Sequence, residues 1–518
     1  MNFLNFCNEK EYVKNRTNAT CETAFFESAE KNIFDDICKS LSDNGYTKAE
    51  ERTLGDMHIY NAYRKNDESV FVNYFENIKE LSVSVEEKCN YFNFSALSKP
   101  HNVQPFVSQL HLEDFGMCYA VRLPDGRFIL IDSGREFERD AKRLYEFLKE
   151  NSPTDKPIIT AWIFTHPHED HFYGFLTFWE KYKNDTVIEN VLYNFPSYDD
   201  LLHYPSMKKQ DIRFDYDTTI YTNLIRFEEC IKECGAKVYM PHTGQKFLIG
   251  DASVEILACM DDTIHKTEFL NATSLVMKMT LGGQTIFWGA DAGFCYARIP
   301  ERYGKYLKSD ILQVPHHGFQ MGDAESEIEG YKFIKPSVCF LPVSEYNAYN
   351  VFCIHTKGTR FIMEDLDIDE LITGDTTRIV YLPYTAPEYA KNEMKRKYTD
   401  GLKACGAKTW VFSNLNTGIV SDLEFTFLNT THKAAKVWIE FYFEDSSKNI
   451  RYLTTHINPC CIKTLNITGE ETDDNDVWFN WMSVKERGIC KNSPFTVRFL
   501  SDLPIVVSNK NHKESYCS

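Results

Sequence analysis

The spacing of hydrophobic positions changes along the chain, and its first stretch predicts a small mixed unit. In residues 25–41 apolar side chains recur every three to four positions, which is the period of a helix. Residues 58–63, 70–75 and 80–85 are typical of short strands separated by polar turns. We therefore predict an α+β unit over residues 1–105. Because it carries no catalytic constellation, we interpret it as a covering or interaction unit.

Strand and helix patterns alternate in residues 106–390. Two apolar runs joined by Pro124-Asp-Gly predict a hairpin, and residues 139–148 place apolar side chains on one face of a helix. Residues 157–164 are apolar and β-branched, as in a buried strand. Further short strands are predicted at residues 275–279, 285–288 and 311–314. This alternation indicates a layered α/β domain.

The pattern changes again after a charged segment, residues 391–407, which we predict to be a linker. In residues 436–443 apolar and polar side chains alternate, so that one face of a strand is buried. Similar segments recur at short intervals over residues 408–518. This region is therefore predicted to be an all-β sandwich.

The composition and net charge narrow the expected class of substrate and the expected location of the protein. Aromatic residues make up 14% of the chain, which favours well-filled cores. The net charge of −18 disfavours long nucleic acid as a substrate, because binding a phosphate backbone usually needs a basic surface. A small molecule or a nucleotide is the expected substrate. With no secretory signal and no apolar run of about 18 residues, we expect a cytoplasmic protein with reduced thiols and no membrane span.

The candidate chemistry is concentrated in residues 165–174, Thr-His-Pro-His-Glu-Asp-His-Phe-Tyr-Gly. Imidazole nitrogen and carboxylate oxygen are ligands of zinc, and this compact loop offers both directly after an apolar strand. We predict that His166 and His168 bind one ion, and that Asp170 and His171 bind a second. Zinc lowers the pKa of bound water to about 7, so metal-bound hydroxide is the expected nucleophile. Asp170 is also the candidate for assisting proton transfer.

Two later strand ends complete the predicted site. Residues 286–291 run from an apolar strand to Asp291 beside small residues, so this carboxylate could bridge both ions. Another strand ends in His316-His317-Gly318, and one of these histidines is expected to close the second metal site; the sequence leaves open which one. Isolated histidines elsewhere are interpreted as surface or core residues, among them His203, His242, His265 and His355.

These motifs together resemble the metallo-β-lactamase superfamily across residues 106–390. The resemblance implies an αββα sandwich, one or two zinc ions with Mn or Fe as alternatives, and hydrolase activity. Residues 129–134 resemble the early strand–Asp–x–Gly element of the family, whose acid, here Asp132, supports the ligands from behind. Residues 271–318 are most similar to the ComEC-type branch of DNA-uptake competence proteins, which is linked to phosphodiester cleavage.

Two positions depart from the superfamily pattern. No clear counterpart exists for the isolated middle histidine that would be a third ligand of the first ion; Asn271 and Ser274 stand near its expected place. Asn271 is therefore expected to support the site, with the first ion loosely held, completed by water or absent under some conditions. Tyr173 replaces the first glycine of the usual pair and leaves Gly174. We expect a packing role for Tyr173, with a substrate contact as the alternative.

The C-terminal strands resemble the sensory rhodopsin transducer family in residues 429–445 and 501–507. Members of that family are small β-sandwiches that form oligomers and are thought to bind small ligands such as carbohydrates. The resemblance implies a sensing or assembly role and a homo-oligomer formed through residues 408–518. A sandwich used only for packing is the alternative.

The predicted fold is thus an α/β metallo-β-lactamase αββα sandwich with a small N-terminal α+β unit and a C-terminal all-β sandwich. The expected function is that of a zinc-dependent hydrolase, an enzyme that cleaves a phosphodiester of nucleotide or nucleic-acid type. An amide, lactone or thioester is the alternative substrate. The alternative function is that of a metal-stabilised ligand sensor or scaffold without turnover.

Overall fold

The computed structural model describes most of the chain. The described residues are 13–17, 21–87, 95–96, 102–196, 217–264, 270–319, 321–344, 366, 368–385, 407–415, 423–444, 450–467 and 494–511. Three isolated histidines of the sequence, His203, His265 and His355, lie outside these residues.

Strands and helices are numbered here in chain order. The strands are β1 Val13–Thr17, β2 Cys21–Phe26, β3 Thr47–Leu54, β4 His58–Lys65, β5 Glu68–Phe75, β6 Glu80–Glu86, β7 Ser95–Ala96, β8 Phe106–Gln109, β9 Cys118–Arg122, β10 Phe128–Asp132, β11 Ile158–Phe164, β12 Val187–Ile188, β13 Asn190–Tyr193, β14 Lys237–Tyr239, β15 Lys246–Ile249, β16 Ala252–Ala258, β17 Val276–Leu281, β18 Gln284–Trp288, β19 Ile311–Gln313, β20 Val338–Phe340, β21 Glu370–Ile372, β22 Arg378–Tyr381, β23 Ala407–Leu415, β24 Leu423–Asn429, β25 Ala435–Phe443, β26 Ile450–Ile457, β27 Ile462–Ile467 and β28 Phe495–Asn511. The α-helices are α1 Lys31–Asp43, α2 Glu138–Asn151, α3 Glu169–Tyr182, α4 Asp217–Cys234, α5 Met260–Thr263, α6 Ile299–Tyr303 and α7 Ala324–Ile334. Short 3-10 helices span Leu270–Thr273, Gly304–Leu307 and Pro315–Gly318.

The N-terminal strands form a six-stranded antiparallel sheet in the order β1-β2-β6-β5-β4-β3. Helix α1 buries Phe34, Ile37 and Leu41, whose spacing places them on one helical face. This confirms the predicted α+β character. The helix predicted from residue 25 begins later, at Lys31, because Phe25 belongs to β2 and pairs with strands on both of its sides.

Two eight-stranded sheets pack face to face in the middle of the chain. The first has the order β14-β13-β11-β10-β9-β8-β22, with β12 beside β11, and the second has the order β21-β20-β19-β18-β17-β16-β15-β7. Alternate residues of each strand point to the same face. Ile129 and Ile131 of β10 therefore share one buried core with Ile286 and Trp288 of β18.

Helices cover the outer faces of these two sheets. On the first sheet, Leu130 and Trp162 belong to a second core that includes buried side chains of α2, α3 and α4. On the second sheet, Phe287 of β18 contacts Phe294, which in turn contacts Tyr331 of α7. The resulting order of helix, sheet, sheet and helix confirms the predicted αββα sandwich.

The C-terminal strands form an all-β unit with its own core. The sheet order is β26-β25-β28-β24-β27, with β23 also paired to β28. The first part of β28 pairs with β23 and β25, whereas its last part pairs with β24. Because β28 is 17 residues long, it can pair with β23 and β25 at one end and with β24 at the other. In the core of this unit, the ring centroids of Phe427 and Phe499 lie 5.0 Å apart.

The chain divides into two compact units. One comprises Met1–Ser344 with Glu370–Tyr384, and the other comprises Glu345–Asp369 with Thr385–Ser518. The predicted domain limits at residues 105, 390 and 407 stay predictions. In the described part of the chain, every helix is too short or too polar to cross a membrane.

Candidate metal centre

The predicted site residues lie where parallel strands end. β10 and β11 are parallel neighbours in the first sheet, and β18 and β19 are parallel neighbours in the second. The carboxyl ends of neighbouring parallel strands meet at one edge of a sheet, so residues far apart in sequence come together there. Asp132 ends β10, His166 follows β11, Asp291 follows β18 and His316 follows β19.

Helix α3 begins inside the histidine-rich segment. His166 and His168 precede it, and His168 has extended backbone with φ −90° and ψ 151°. The helix starts at Glu169, so Asp170 and His171 lie in its first turn. The prediction of a loop was therefore wrong for these two residues. Their position in a helix fixes the direction of both side chains more firmly than a loop would.

Asp170, His171, Asp291 and His317 form a first group. His317 Nε2 lies 3.0 Å from Asp170 Oδ2 and 3.6 Å from Asp291 Oδ2. His171 Nε2 lies 3.2 Å from Asp291 Oδ2 and 3.7 Å from Asp170 Oδ2. One ligand atom from each residue lies within 4.8 Å of the others, and all four residues are buried. The four donors therefore surround a common point.

His166, His168 and Asp291 form a second group beside the first. His166 Nε2 lies 3.0 Å from His168 Nδ1 and 3.9 Å from Asp291 Oδ2. Their ligand atoms again lie within 4.8 Å of one another. Asp291 is common to both groups, which is the arrangement that a carboxylate bridging two ions requires.

Hydrogen bonds at Nδ1 orient three of the imidazole rings. His171 Nδ1 donates to Asp132 Oδ2 over 2.7 Å, and His317 Nδ1 donates to the carbonyl oxygen of Pro342 over 3.3 Å. His166 Nδ1 donates to Thr165 Oγ1 over 3.2 Å. In each ring Nε2 is then the nitrogen directed toward the carboxylates. Metal-binding histidines are commonly held in this way by a partner on the other nitrogen.

Asp132 connects the first sheet to this site. Its carboxylate accepts hydrogen bonds from the backbone N–H of Thr165 over 2.8 Å and from the Thr165 hydroxyl over 2.8 Å, in addition to the one from His171. The residue is 1% exposed. Asp132 thus lies behind His171, as the sequence predicted, and holds β10, β11 and α3 together at the site.

The electrostatics of the first group favour positive charge. Burial lowers the pKa of His171, but the surrounding carboxylates, led by Asp291, outweigh it and raise the pKa well above its ordinary value. The same balance raises the pKa of His317 to about 9. By contrast, burial lowers the pKa of His168 to about 4 and that of His166 well below its ordinary value. The carboxylates therefore attract a cation to the first group, while the other two imidazoles stay neutral.

Buried atoms in the centre fit a divalent cation. Among the described residues, His171 Nε2, His317 Nε2 and Asp291 Oδ1 are buried and have no hydrogen-bond partner. Leaving such atoms unsatisfied is costly, and a metal ion would satisfy all three. Imidazole and carboxylate donors suit zinc and related transition metals. The residues present thus fit the metal ions that the sequence predicted.

The two histidines of the pair have different positions. His317 belongs to the first group, whereas His316 Nε2 lies 4.0 Å from Asp291 Oδ2 and accepts a hydrogen bond of 2.9 Å from Asn271 Nδ2. Asn271 Oδ1 lies 3.0 Å from His166 Nε2. Asn271 thus contacts two of the candidate residues directly, at the place where the superfamily pattern would have its middle histidine.

Other residues singled out by the sequence lie in the protein core. Tyr173 is 3% exposed and packs in the core beneath α3, next to Phe172, so its contact with a substrate stays a prediction. Ser274 is 1% exposed. His242 is fully buried and pairs with Asp261, and this pairing outweighs burial and raises the pKa of His242 to about 9. His242 therefore lies in the core.

Three residues near the centre were not predicted as functional. The ring of Phe115 lies 4.3 Å from that of His317, and Arg135 lies over Phe115 at 5.3 Å while pairing with Glu169 over 2.8 Å. Nothing in the sequence around Phe115 or Arg135 signals this position. Thr165, whose hydroxyl binds Asp132, directly precedes the first histidine, so its place could have been anticipated.

Comparisons with known proteins gave one family match and structural similarities of low sequence identity. The family model "Metallo-beta-lactamase superfamily" matches residues 112–246. A comparison with curated protein sequences gave no match. CmlA, a diiron beta-hydroxylase from Streptomyces venezuelae, aligns over 55% of this chain and 55% of its own at 11% identity, with a TM-score of 0.32. A metallo beta lactamase from Hirschia baltica aligns over 58% of this chain and 89% of its own at 9% identity, with a TM-score of 0.22.

A further similarity involves a smaller share of the chain. The Anabaena sensory rhodopsin transducer aligns over 20% of this chain and 96% of its own at 19% identity, with a TM-score of 0.16. The transducer-like and ComEC-like resemblances stay predictions. With the αββα layers and the family match at residues 112–246, the conclusion is that this chain contains a metallo-β-lactamase superfamily domain.

Proposed function

We propose that this protein is a zinc-dependent hydrolase that cleaves a small phosphodiester, such as one in a nucleotide. The observation that carries the proposal is the position of Asp291, which is shared by the two groups of candidate ligands. Members of the metallo-β-lactamase superfamily are mostly metal-dependent hydrolases, and the buried donor set fits that class. Manganese or iron are the alternative metals.

The two groups would hold two ions. His166, His168 and Asp291 would hold one, completed by the amide oxygen of Asn271. The first group, residues Asp170, His171, Asp291 and His317, would hold the other. Bound zinc lowers the pKa of water and neutralises negative charge on a substrate oxygen.

The side chains around the ions supply positioning and proton transfer. His316 donates from Nδ1 to the carbonyl oxygen of Phe319 over 3.1 Å, which fixes the ring, and its side chain remains 18% exposed. Its Nε2 accepts a hydrogen bond from Asn271, so His316 would help to position that amide beside the ions. Asp170 remains our candidate for assisting proton transfer from the attacking water.

The two expected cations and the negative net charge of the protein support a small anionic substrate. Two cations next to one another can stabilise the charge that develops on the attacking and leaving oxygens of a phosphodiester. The net charge of −18 gives the protein as a whole little attraction for a long polyanion. The resemblance of residues 271–318 to ComEC-type proteins also supports phosphodiester chemistry over hydrolysis of an amide, lactone or thioester.

Metal analysis and a substrate panel test the proposal. We expect about two zinc ions at the candidate metal centre, turnover of bis(nitrophenyl) phosphate, and loss of that turnover in Asp170→Ala. Asp251→Ala, at an exposed acid away from the centre, is the control and should keep wild-type turnover. Turnover of nitrophenyl esters or thioesters alone would identify an acyl hydrolase instead. One zinc ion or none, without turnover of any substrate, would support the sensor or scaffold.

A further inference from the structure

A second cluster of metal-binding side chains lies away from the candidate metal centre, on the N-terminal sheet. Cys21 of β2 is the direct cross-strand partner of Glu86 of β6, and Thr23 is the partner of Ser84. Directly opposite residues of an antiparallel pair point to the same face, as do residues two apart. These four side chains therefore share one face of the sheet. A thiol and a carboxylate stand side by side on it.

His242 and Asp261 complete this cluster from the metallo-β-lactamase domain. His242 Nε2 lies 3.2 Å from Glu86 Oε2, and His242 Nδ1 lies 2.5 Å from Asp261 Oδ2. The hydroxyl of Ser84 donates to Asp261 Oδ2 over 2.9 Å. The His242 ring is stacked on Phe71 of β5 with centroids 4.4 Å apart. The contacts with Glu86, Ser84 and Phe71 join the N-terminal sheet to the αββα sandwich within one compact unit.

The donors converge in a buried place. One ligand atom from each of Cys21, His242 and Asp261 lies within 4.8 Å of the other two. These residues are 2%, 0% and 3% exposed, and the side chain of Glu86 is 14% exposed. A thiol, an imidazole and a carboxylate at these distances can bind one ion. Glu86 and Asp261 lie on different nitrogens of the His242 ring, so Glu86 holds the ring in place from its other side.

We propose that Cys21, His242 and Asp261 bind a zinc ion that fastens the N-terminal sheet to the metallo-β-lactamase domain, with Glu86 holding the His242 ring through its other nitrogen. Zinc is bound by thiolate sulfur, imidazole nitrogen and carboxylate oxygen. All three donors are buried, which keeps solvent away from the ion. The thiolate also selects zinc over magnesium or calcium, which prefer oxygen ligands. No residue is shared with the candidate metal centre, so the two sites bind independently.

Cobalt substitution of the full-length protein tests this proposal. A thiolate bound to Co²⁺ gives an intense charge-transfer band in the near ultraviolet, and the candidate metal centre offers only nitrogen and oxygen donors. We expect this band in the wild type and in Asp170→Ala, and its loss in Cys21→Ser. Cys339→Ser removes a thiol that is equally buried, in β20, and should leave the band unchanged. Zinc content should fall by one ion per chain in Cys21→Ser and stay unchanged in Cys339→Ser.

Two results would overturn the proposal. One is a cobalt-loaded wild type without a thiolate band, and the other is a band that survives Cys21→Ser. If Cys21→Ser does not fold, zinc-edge X-ray absorption of the wild type gives the answer, because a zinc–sulfur distance of about 2.3 Å must then appear. Only nitrogen and oxygen neighbours would contradict the site. Because the thiolate signal does not depend on turnover, failure of this proposal leaves the hydrolase proposal standing, and the reverse also holds.

Discussion

At the scale of single residues, the candidate metal centre is built from unusual backbone conformations. Asp132, Ala290, His316 and His317 all have positive φ, at 56°, 46°, 48° and 54°. Residues other than glycine rarely adopt this region and do so at a cost of about 1 kcal/mol or more. All four stand at or just after strand ends beside the site. The surrounding hydrogen bonds and packing evidently hold these residues in place against their local preference.

Asp132→Asn should weaken metal binding without unfolding the protein. The amide has the size of the carboxylate but no negative charge. Its hydrogen bonds to the Thr165 hydroxyl and to His171 Nδ1 are therefore weaker, and the ring of His171 loses its firm orientation. Loss of such a supporting carboxylate typically lowers metal affinity about 10–100-fold. Titration with zinc against a competing chelator measures the change.

Asp310→Asn is the matched control for this variant. Asp310 also accepts from the backbone N–H and the hydroxyl of one threonine, Thr285, at 2.8 and 3.0 Å. It lies before β19 and not at the site. The zinc affinity of Asp310→Asn should equal that of the wild type. Equal losses of zinc affinity in Asp310→Asn and Asp132→Asn would refute the role given to Asp132.

Glu327 should make the protein less stable as the pH rises. Burial raises the pKa of this carboxyl from 4.5 to about 8 in the folded state. Between these two values the unfolded chain has lost a proton that the folded chain keeps, so the free energy of unfolding falls by up to about 1.4 kcal/mol per pH unit. Glu327→Gln removes this contribution. Denaturant unfolding at several pH values should therefore give the variant a flatter profile up to about pH 8.

The neighbouring exposed acid provides the comparison. Glu325→Gln lies on the same helix, α7, but its side chain is exposed. It should reproduce the wild-type pH profile. If Glu327→Gln shows the wild-type slope as well, Glu327 is ionised in the folded protein and the expectation fails.

At the scale of elements, α3 depends on a close approach to the turn after β10. A Cβ atom on Gly174 would lie 2.0 Å from the carbonyl oxygen of Ser133, and the N–H of Gly174 donates to the carbonyl oxygen of Gly134 over 2.8 Å. This contact brings the first turn of α3, with His171, up to Asp132. The single glycine that follows the histidine motif therefore positions the metal centre through packing.

Gly174→Ala should destabilise the protein although it lies within a helix. Alanine favours a helix over glycine by about 1 kcal/mol, but the clash with Ser133 involves backbone that cannot easily move. Overpacking of this kind costs about 1–3 kcal/mol or more, so the net effect is a loss of stability. Chemical denaturation measures it. Lys181→Ala, exposed on the same helix, should change stability by no more than about 0.5 kcal/mol; a similar effect in both variants would contradict the packing argument.

At the scale of the whole first unit, a buried arginine links the N-terminal sheet to the αββα sandwich. Arg302 of α6 is 0% exposed and pairs with Glu80 of β6 over 2.9 Å and with Asp262 over 2.8 Å. Its guanidinium carbon also lies 4.0 Å from the ring centroid of Phe75. The guanidinium thus joins a carboxylate of the N-terminal sheet, which Arg298 also contacts, to a carboxylate of helix α5 in the sandwich domain.

Arg302→Ala should therefore be strongly destabilising. Removing one partner of a buried ion pair leaves uncompensated charge and costs about 3–5 kcal/mol. Arg226→Ala breaks a solvent-exposed pair with Glu180 and should cost only about 0–1 kcal/mol. Thermal and denaturant unfolding of both variants measure the difference. A loss below about 1 kcal/mol for Arg302→Ala would show that the pair adds little to the attachment of the sheet.

The sequence by itself determined the fold class and gave the candidate site residues. Strong local patterns, such as the apolar run before Thr165 and the alternation in β25, predicted strands that the structure confirms. The histidine–aspartate segment, Asp132 and Asp291 could be predicted as parts of a candidate metal centre, because their residue types and places after strands are local properties of the chain.

Only the tertiary structure decided how these parts meet. It separated the roles of His316 and His317, placed Asn271 against His166, and brought Cys21 to His242 across more than 200 residues of sequence. It also turned Asp170 into a helical residue where a loop was expected. Periodicity reports which face of an element is buried, but not what that face contacts. Those contacts depend on sheet order, register and close packing, which arise only when distant segments assemble.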